Sequence, residues 1–230
     1  MVKVLQNWIE IGEANKFLSK KGLPRYSTAE KNWDLRQLYS IIESIPRHST
    51  IIDLGCSGLI PLKLLHAMGF ENLYGIDLSL SWKNRLSQVI RMWRNRSLRA
   101  PFYLYKGDLT KTEFPAQTFD LAICISVIEH GVDLKDFLAE SHRILKPSGS
   151  LFITTDYWEK GVQANNDNNP FGLPWKIFSK EKIEQFIRLS YDFGFSPYGD
   201  LSIPACSDKC VTWNNQEYSF LCMAFKKVRA

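Results

Sequence analysis

The run Ile51-Ile52-Asp53-Leu54-Gly55-Cys56-Ser57-Gly58, followed directly by Leu59-Ile60-Pro61-Leu62-Lys63-Leu64-Leu65, constrains the fold more than any other part of the chain. An apolar run bounded by a turn signal reads as a buried strand, and the apolar positions beyond the turn read as a helix. A strand that enters a helix through a glycine-bearing turn opens an α/β sheet, and such turns seat nucleotide-like ligands at the strand's carboxyl end. Gly55 and Gly58 let the backbone bend sharply and approach a ligand closely.

A second acid follows at a telling distance. Leu73-Tyr74-Gly75-Ile76-Asp77 reads as another short buried strand, and its carboxylate lies 77 − 53 = 24 residues beyond Asp53. A carboxylate in that place can accept both hydroxyls of a ribose. The turn lacks the full Gly-x-Gly-x-x-Gly that lets a pyrophosphate reach a helix N-terminus, so a ligand with ribose and adenine but no phosphates fits better.

With these motifs the chain resembles the class I S-adenosylmethionine-dependent methyltransferases, and the resemblance continues downstream in order over roughly residues 50 to 155. Tyr105-Lys106-Gly107-Asp108-Leu109 is similar to that family's adenine-binding segment after the third strand. Phe119 to His130 resembles its fourth strand and the segment beyond, and Arg143 to Thr154 its turn into the fifth. The departure is Ser57, where the family often has glycine; serine is small and can donate a hydrogen bond to the cofactor's carboxylate. The resemblance implies S-adenosyl-L-methionine as cofactor, held by Asp53, Gly55, Cys56, Ser57, Gly58, Asp77, Leu78, Gly107, Asp108, Leu109 and Ser126. The implied fold is α/β and doubly wound: a mostly parallel, seven-stranded Rossmann-like sheet. Its seventh strand is antiparallel and next to the edge, for which Tyr218 to Phe225 is the candidate.

At 230 residues the chain has room for one domain, 1–230, comprising an N-terminal helical cap over 1–48 and the cofactor-binding core over 49–230. Within the cap, Leu35, Leu38, Tyr39 and Ile42 recur at helical spacing between Glu30 and Ile45, and Ser179 to Tyr191 reads as a later helix with Ser179 as N-cap. No apolar run is long enough to cross a bilayer, and the first residues lack a signal-peptide core, so a cytoplasmic enzyme is expected. The five cysteines do not suggest a disulfide framework, and Cys206-x-x-x-Cys210 lacks the further ligands of a metal site.

The net charge of +5 is mild, but Lys83, Arg85, Arg91, Arg94, Arg96 and Arg99 cluster in one segment. Leu86, Val89, Ile90 and Trp93 recur there at helical spacing, which describes a helix with a solvated basic face in preference to a nucleic-acid groove. The polar run Gln163 to Pro170 reads as a surface loop beside the site.

Methyl transfer from a sulfonium needs in-line alignment and exclusion of water, and no metal. A hydroxyl acceptor must also lose its proton, and His130, directly after the fourth strand, is the candidate base. Metal-using relatives carry Glu-x-x-Glu-His at this place, and Ser126-Val127-Ile128-Glu129-His130 lacks the first carboxylate, so no metal is expected. Asp156 and Tyr157 after the fifth strand, with Trp33 and Trp175, are the expected acceptor contacts. The expected reaction is methylation of a hydroxyl on a small molecule, a sugar or secondary metabolite. N-methylation of a small amine, a nucleic-acid methyltransferase and a non-catalytic cofactor-binding module stay open as alternatives, as does the oligomeric state.

Overall fold

The computed structural model describes residues 1–80, 102–162, 172–199 and 201–228. The basic segment around Lys83 to Arg99 and the polar run 163–170 lie outside them. Nine strands are described: β1 (Val2–Val4), β2 (Thr50–Leu54), β3 (Asn72–Asp77), β4 (Tyr103–Lys106), β5 (Phe119–Ile125), β6 (Leu145–Tyr157), β7 (Phe195–Pro197), β8 (Val211–Trp213) and β9 (Gln216–Lys227). The described helices are α1 (Trp8–Lys20), α2 (Asn32–Ile42), α3 (Ile60–Ala67), α4 (Leu134–Ile144) and α5 (Lys180–Asp192).

One seven-strand path, β1-β9-β6-β5-β2-β3-β4, forms the sheet, and β7 and β8 add to β9. The pairs β2–β3, β2–β5, β3–β4 and β5–β6 are parallel, whereas β9 runs antiparallel to β6 and to β1. Strand order reverses on either side of β2: the chain winds outward through β3 and β4 on one side, and through β5 and β6 on the other. That reversal between β2 and β5 is the switch point where α/β sheets bind ligands.

Side-chain alternation sends successive residues to opposite layers. Ile51, Leu121, Ile123, Phe152, Phe220 and Cys222 pack with Leu35, Leu38 and Ile42 of α2 and Leu62 and Leu65 of α3. Ile52, Leu54, Ala122, Cys124, Ile153, Leu221 and Met223 pack with Phe137 and Leu138 of α4 and Ile183 and Phe186 of α5. The central strands are therefore apolar throughout, as a sheet covered on both faces requires.

The helix boundaries have local causes. Asn7 caps α1 by accepting from the Ile9 and Glu10 amides, Asp133 caps α4 by accepting from Lys135 and Asp136, and Ser179 caps α5 by accepting from Lys182. Tyr218 to Phe225 is next to the edge and antiparallel, as the resemblance implied. The segment before β2 supplies more than a helical cap, because Val2, Lys3 and Val4 pair with Met223, Cys222 and Leu221 and extend the sheet. Three residues are too short a run for periodicity to reveal, and their partner lies more than 200 positions away.

Strand β9 joins β1, β6, β7 and β8, so truncating a side chain in it tests the whole sheet. Leu221 is fully buried. Leu221→Ala is expected to lower stability by about 2–5 kcal/mol, read as a reduced urea midpoint with unchanged slope; a shift below 0.5 kcal/mol would contradict this packing.

Candidate active site

At the switch point lies a cleft of about 430 Å³, lined by the β2 turn (Asp53, Gly55 to Leu59, Pro61), the end of β3 (Asp77 to Ser79), Leu109, and Ile125 to Val127 with His130 after β5. Tyr26 and Lys31, from the connection between α1 and α2, and Leu173 complete it.

The turn is shaped by backbone demands. Gly55 has φ +95°, and a Cβ there would fall 2.3 Å from Val127 Cγ2, so no side chain fits. A Cβ at Gly58 would meet no described atom within 4 Å, so its bareness leaves cleft space open. The amides of Gly55 and Cys56 both donate to the Ile76 carbonyl, which ties the turn to β3. The Ser57 amide donates to Asp77 Oδ2 at 3.0 Å, and the amide and hydroxyl of Ser79 donate to Oδ1 at 2.8 and 3.0 Å. The two motif acids thus share one construction, and the Asp77 carboxylate, held in place, keeps lone pairs for a ligand.

Asp53 is buried at the cleft's inner wall, with Oδ2 lacking a hydrogen-bond partner among the described groups. Burial raises its carboxyl from the ordinary carboxylate range to about 8, and the Asp77 charge adds to the rise. A buried acceptor of this kind fits a ligand that brings donors and positive charge. S-adenosylmethionine has both, in its ammonium and sulfonium groups.

Asp108 accepts from the amide and hydroxyl of Thr110 in a local turn, and the Gly107 amide donates to the Asp77 carbonyl, which carries Leu109 to the cleft. Gly107 and Asp108 themselves do not line the cleft. Ser126 has φ +52°, a sharp exit from β5, and its amide donates to the Thr154 carbonyl on β6 at 3.0 Å.

Lys31 reaches in from the helical segment and donates from Nζ to Ser126 Oγ. Its ammonium lies 4.1 Å from the Phe220 ring centre, 3.7 Å from Asp34 Oδ2 and 4.0 Å from Asp156 Oδ1. Asp34, Glu129 and Asp156 are all buried behind it. Burial raises the Asp34 carboxyl to about 7, with Lys31 opposing and Asp156 adding. Burial also raises Glu129 and Asp156, and Lys31 opposes both rises. Asp156 Oδ2 accepts from Trp175 Nε1 at 2.9 Å, and Glu129 Oε2 accepts from Thr155 Oγ1 at 3.1 Å.

His130 lines the cleft beside these groups, and burial, followed by the Lys31 charge, lowers its imidazole to about 4. It is neutral at physiological pH. The Trp213 ring lies 6.4 Å from the imidazole and 5.0 Å from Trp175, which also packs on Tyr218, so an aromatic wall stands beside His130. Among the described residues, no group of three or more His, Cys, Asp or Glu is arranged to hold a metal ion.

Two expected acceptor contacts lie elsewhere. Trp33 is buried between α1 and α2, with Nε1 donating to Glu10 Oε2 at 2.8 Å, beside a separate groove lined by Lys3, Glu13 and Arg36. Tyr157 follows Asp156 on β6, and strand alternation turns it to the opposite layer against Phe178 and Ile183. Asp156 and Trp175 stay near the cleft as the groups behind Lys31. Lys31, Tyr26, Leu173 and Trp213 carry no motif and are near the site only through tertiary structure.

Residues 52–153 match the methyltransferase domain family. Over 174 residues, 65% of the chain, it is 27% identical to the mitochondrial ubiquinone biosynthesis O-methyltransferase of Homo sapiens, of which that stretch is 44%. Over 141 residues, 60% of the chain, it is 26% identical to demethylmenaquinone methyltransferase of Chlamydia caviae, of which that stretch is 55%. The chain thus spans about half the length of these relatives. The structure of geranyl diphosphate C-methyltransferase from Streptomyces coelicolor A3(2) superposes with a TM-score of 0.63 at 18% identity, covering 90% of this chain and 86% of that one. The solved structure shares this chain's fold, and the family match lies on the stretch 52–153. Its central acids are the Asp53 and Asp77 of the cleft.

The raised carboxyls make stability depend on pH with a defined sign. Asp34 and Asp53 bind protons in the folded protein up to about 7 and about 8, against 3.8 for an ordinary aspartate. Their contribution is therefore complete below the unfolded value and is lost as pH rises through the folded values. Between pH 6.5 and 8 the ligand-free protein should lose thermal stability, and Asp53→Asn should flatten that decline. A midpoint that rises over this interval in the wild type, or an equal decline in the variant, would contradict the burial of Asp53.

Proposed function

We propose that the protein is an S-adenosylmethionine-dependent methyltransferase that methylates a hydroxyl group of a small molecule. The observation that carries this reading is the convergence in one cleft of Asp53 and Asp77, suited to the methyl donor, with a neutral imidazole at His130 suited to an acceptor's proton. The human relative is an O-methyltransferase of ubiquinone biosynthesis, which supports oxygen as the acceptor atom. Trp213, 39% exposed and near His130, is the open side of the wall formed with Trp175 and Tyr218, and it supports an acceptor with a flat face. Secondary metabolites with rings fit that wall better than open-chain alcohols.

When bound, S-adenosylmethionine supplies an electrophilic methyl group that needs no further activation. The chain's own residues do the rest. Asp77 accepts from the ribose hydroxyls, and Asp53 meets positive charge with a carboxyl that gives up its proton. Ser126 and Val127 close the cleft at the end of β5, and His130 takes the acceptor's proton as the new bond to oxygen forms.

Incubating the protein with methyl-labelled cofactor and a panel of hydroxylated aromatics, sugars and amines, with products read by mass spectrometry, tests the reading. Label on oxygen of a ring-bearing acceptor is the expected result. Label only on nitrogen, or on no small molecule, would contradict it.

Asp77→Ala should weaken binding of S-adenosylhomocysteine by about 1.5–3 kcal/mol in calorimetry, and an unchanged affinity in a folded variant would remove Asp77 from the site. His130→Ala should reduce turnover by roughly 10²–10⁴-fold with cofactor affinity nearly constant. Because His130 titrates at about 4, turnover in the wild type should show no acid limb from this group between pH 5.5 and 8. His130→Gln, which keeps a polar group but takes no proton there, should be almost as impaired as the alanine variant.

A further inference from the structure

A base that titrates at about 4 leaves a difficulty, because a hydroxyl far above it in pKa surrenders its proton only if something stabilises the resulting oxyanion. Lys31 is placed to do so. Among the described residues that line the cleft it is the only lysine or arginine, and its side chain is just 25% exposed. One of its three ammonium protons goes to Ser126 Oγ, so the ammonium sits at the cleft's β5 end, where His130 also stands. Asp34 and Asp156 stand at 3.7 and 4.0 Å, beyond ordinary hydrogen-bond distance. Neither lines the cleft, so an acceptor meets the ammonium first.

The groups facing this ammonium come from several elements: Asp34 on α2, Asp156 on β6, Glu129 and His130 after β5, and Phe220 on β9. Burial raises all three carboxyls and Lys31 opposes each rise, so they hold the ammonium beside the cleft by charge that burial weakens. Lys31 also acts on His130 electrostatically. An oxygen within reach of that imidazole therefore lies in the field of the ammonium.

Resting on the hydroxyl-methylation reading, we propose that Lys31 is a catalytic residue that receives the acceptor oxygen as an oxyanion and thereby selects acidic hydroxyls, phenolic or enolic, over sugar and alkyl hydroxyls. The acceptor's O–H proton passes to the His130 imidazole. The oxygen's electron pair forms the O–CH₃ bond as the donor's C–S bond breaks, leaving a neutral thioether, and the imidazolium releases its proton to water. Lys31 keeps its proton throughout. The aromatic wall beside His130 suits the ring that makes such a hydroxyl acidic.

The probe is 4-nitrophenol, whose ionised form absorbs visible light, titrated against pH in the presence of protein saturated with S-adenosylhomocysteine. In the wild type its bound ionisation midpoint should fall about 1–3 pH units below that of the free phenol. Lys31→Met should bring the midpoint back to the free value or above it, and Lys31→Arg should retain at least half of the shift. Calorimetry should give an affinity for S-adenosylhomocysteine within about threefold of the wild type in both variants, and Lys31→Gln supplies the same comparison should the methionine variant fail to fold. Equal midpoints in the wild type and the charge-removed variant, or no saturable uptake of 4-nitrophenol by the loaded wild type, would overturn the role of Lys31 and leave the methyltransferase reading standing. A wild type that does not bind S-adenosylhomocysteine would overturn both.

Discussion

A carboxyl group buried at the carboxyl end of β2, with one oxygen lacking a donor among the described residues, is the constraint on which the site depends. Asp53 cannot be moved without moving the turn, because the following amides are tied to Ile76 on β3 and Asp77 is tied back to Ser57. The parallel pairing of β2 with β3 and β5 sets that geometry, and the reversal of strand order opens the cleft beside it. Burying an acid in this way raises its pKa, so a cation-bearing ligand can take the place of the proton that Asp53 holds.

A second electrostatic arrangement lies at the acceptor end and is built differently. There a single lysine from the helical segment between β1 and β2 sits over three buried carboxyl groups from α2, the segment after β5, and β6. Buried charges break even only when geometry and hydrogen bonding are good, and the Trp175 and Thr155 donors supply part of that here. The arrangement fastens the N-terminal helices to the end of β6. A segment distant in sequence therefore contributes the cleft's cation, while the core contributes its acids. On the proposed reading, cofactor chemistry and acceptor chemistry come from different parts of the chain, as site residues that vary on a retained fold would.

The sheet and the cofactor side were legible in the sequence because each rests on local pattern. Strand β2, the Gly55 turn, Asp77 and the β5 exit are contiguous runs whose order is itself the signal, and β9 was readable from its unbroken apolar stretch. Strand β1 was not, because three residues that pair across more than 200 positions leave no periodicity. The acceptor side was harder. Trp33 reads as a site aromatic by its place in the cap, yet its indole is used by Glu10; Tyr157 neighbours a site residue but alternates away from it. Lys31 carries no sequence signal at all, since its meaning comes from Ser126, Asp34 and Asp156 meeting it in three dimensions.

The measurement that tests the central claim most directly is the number of protons released when S-adenosylhomocysteine binds at pH 7, obtained by calorimetry in buffers of differing ionisation enthalpy. The ligand's ammonium should displace the proton that Asp53 holds up to about pH 8, so close to one proton should leave per site, and Asp53→Asn should abolish the release. Binding with no proton release in the wild type, or the same release in the asparagine variant, would contradict a neutral Asp53 as the feature that receives the cofactor.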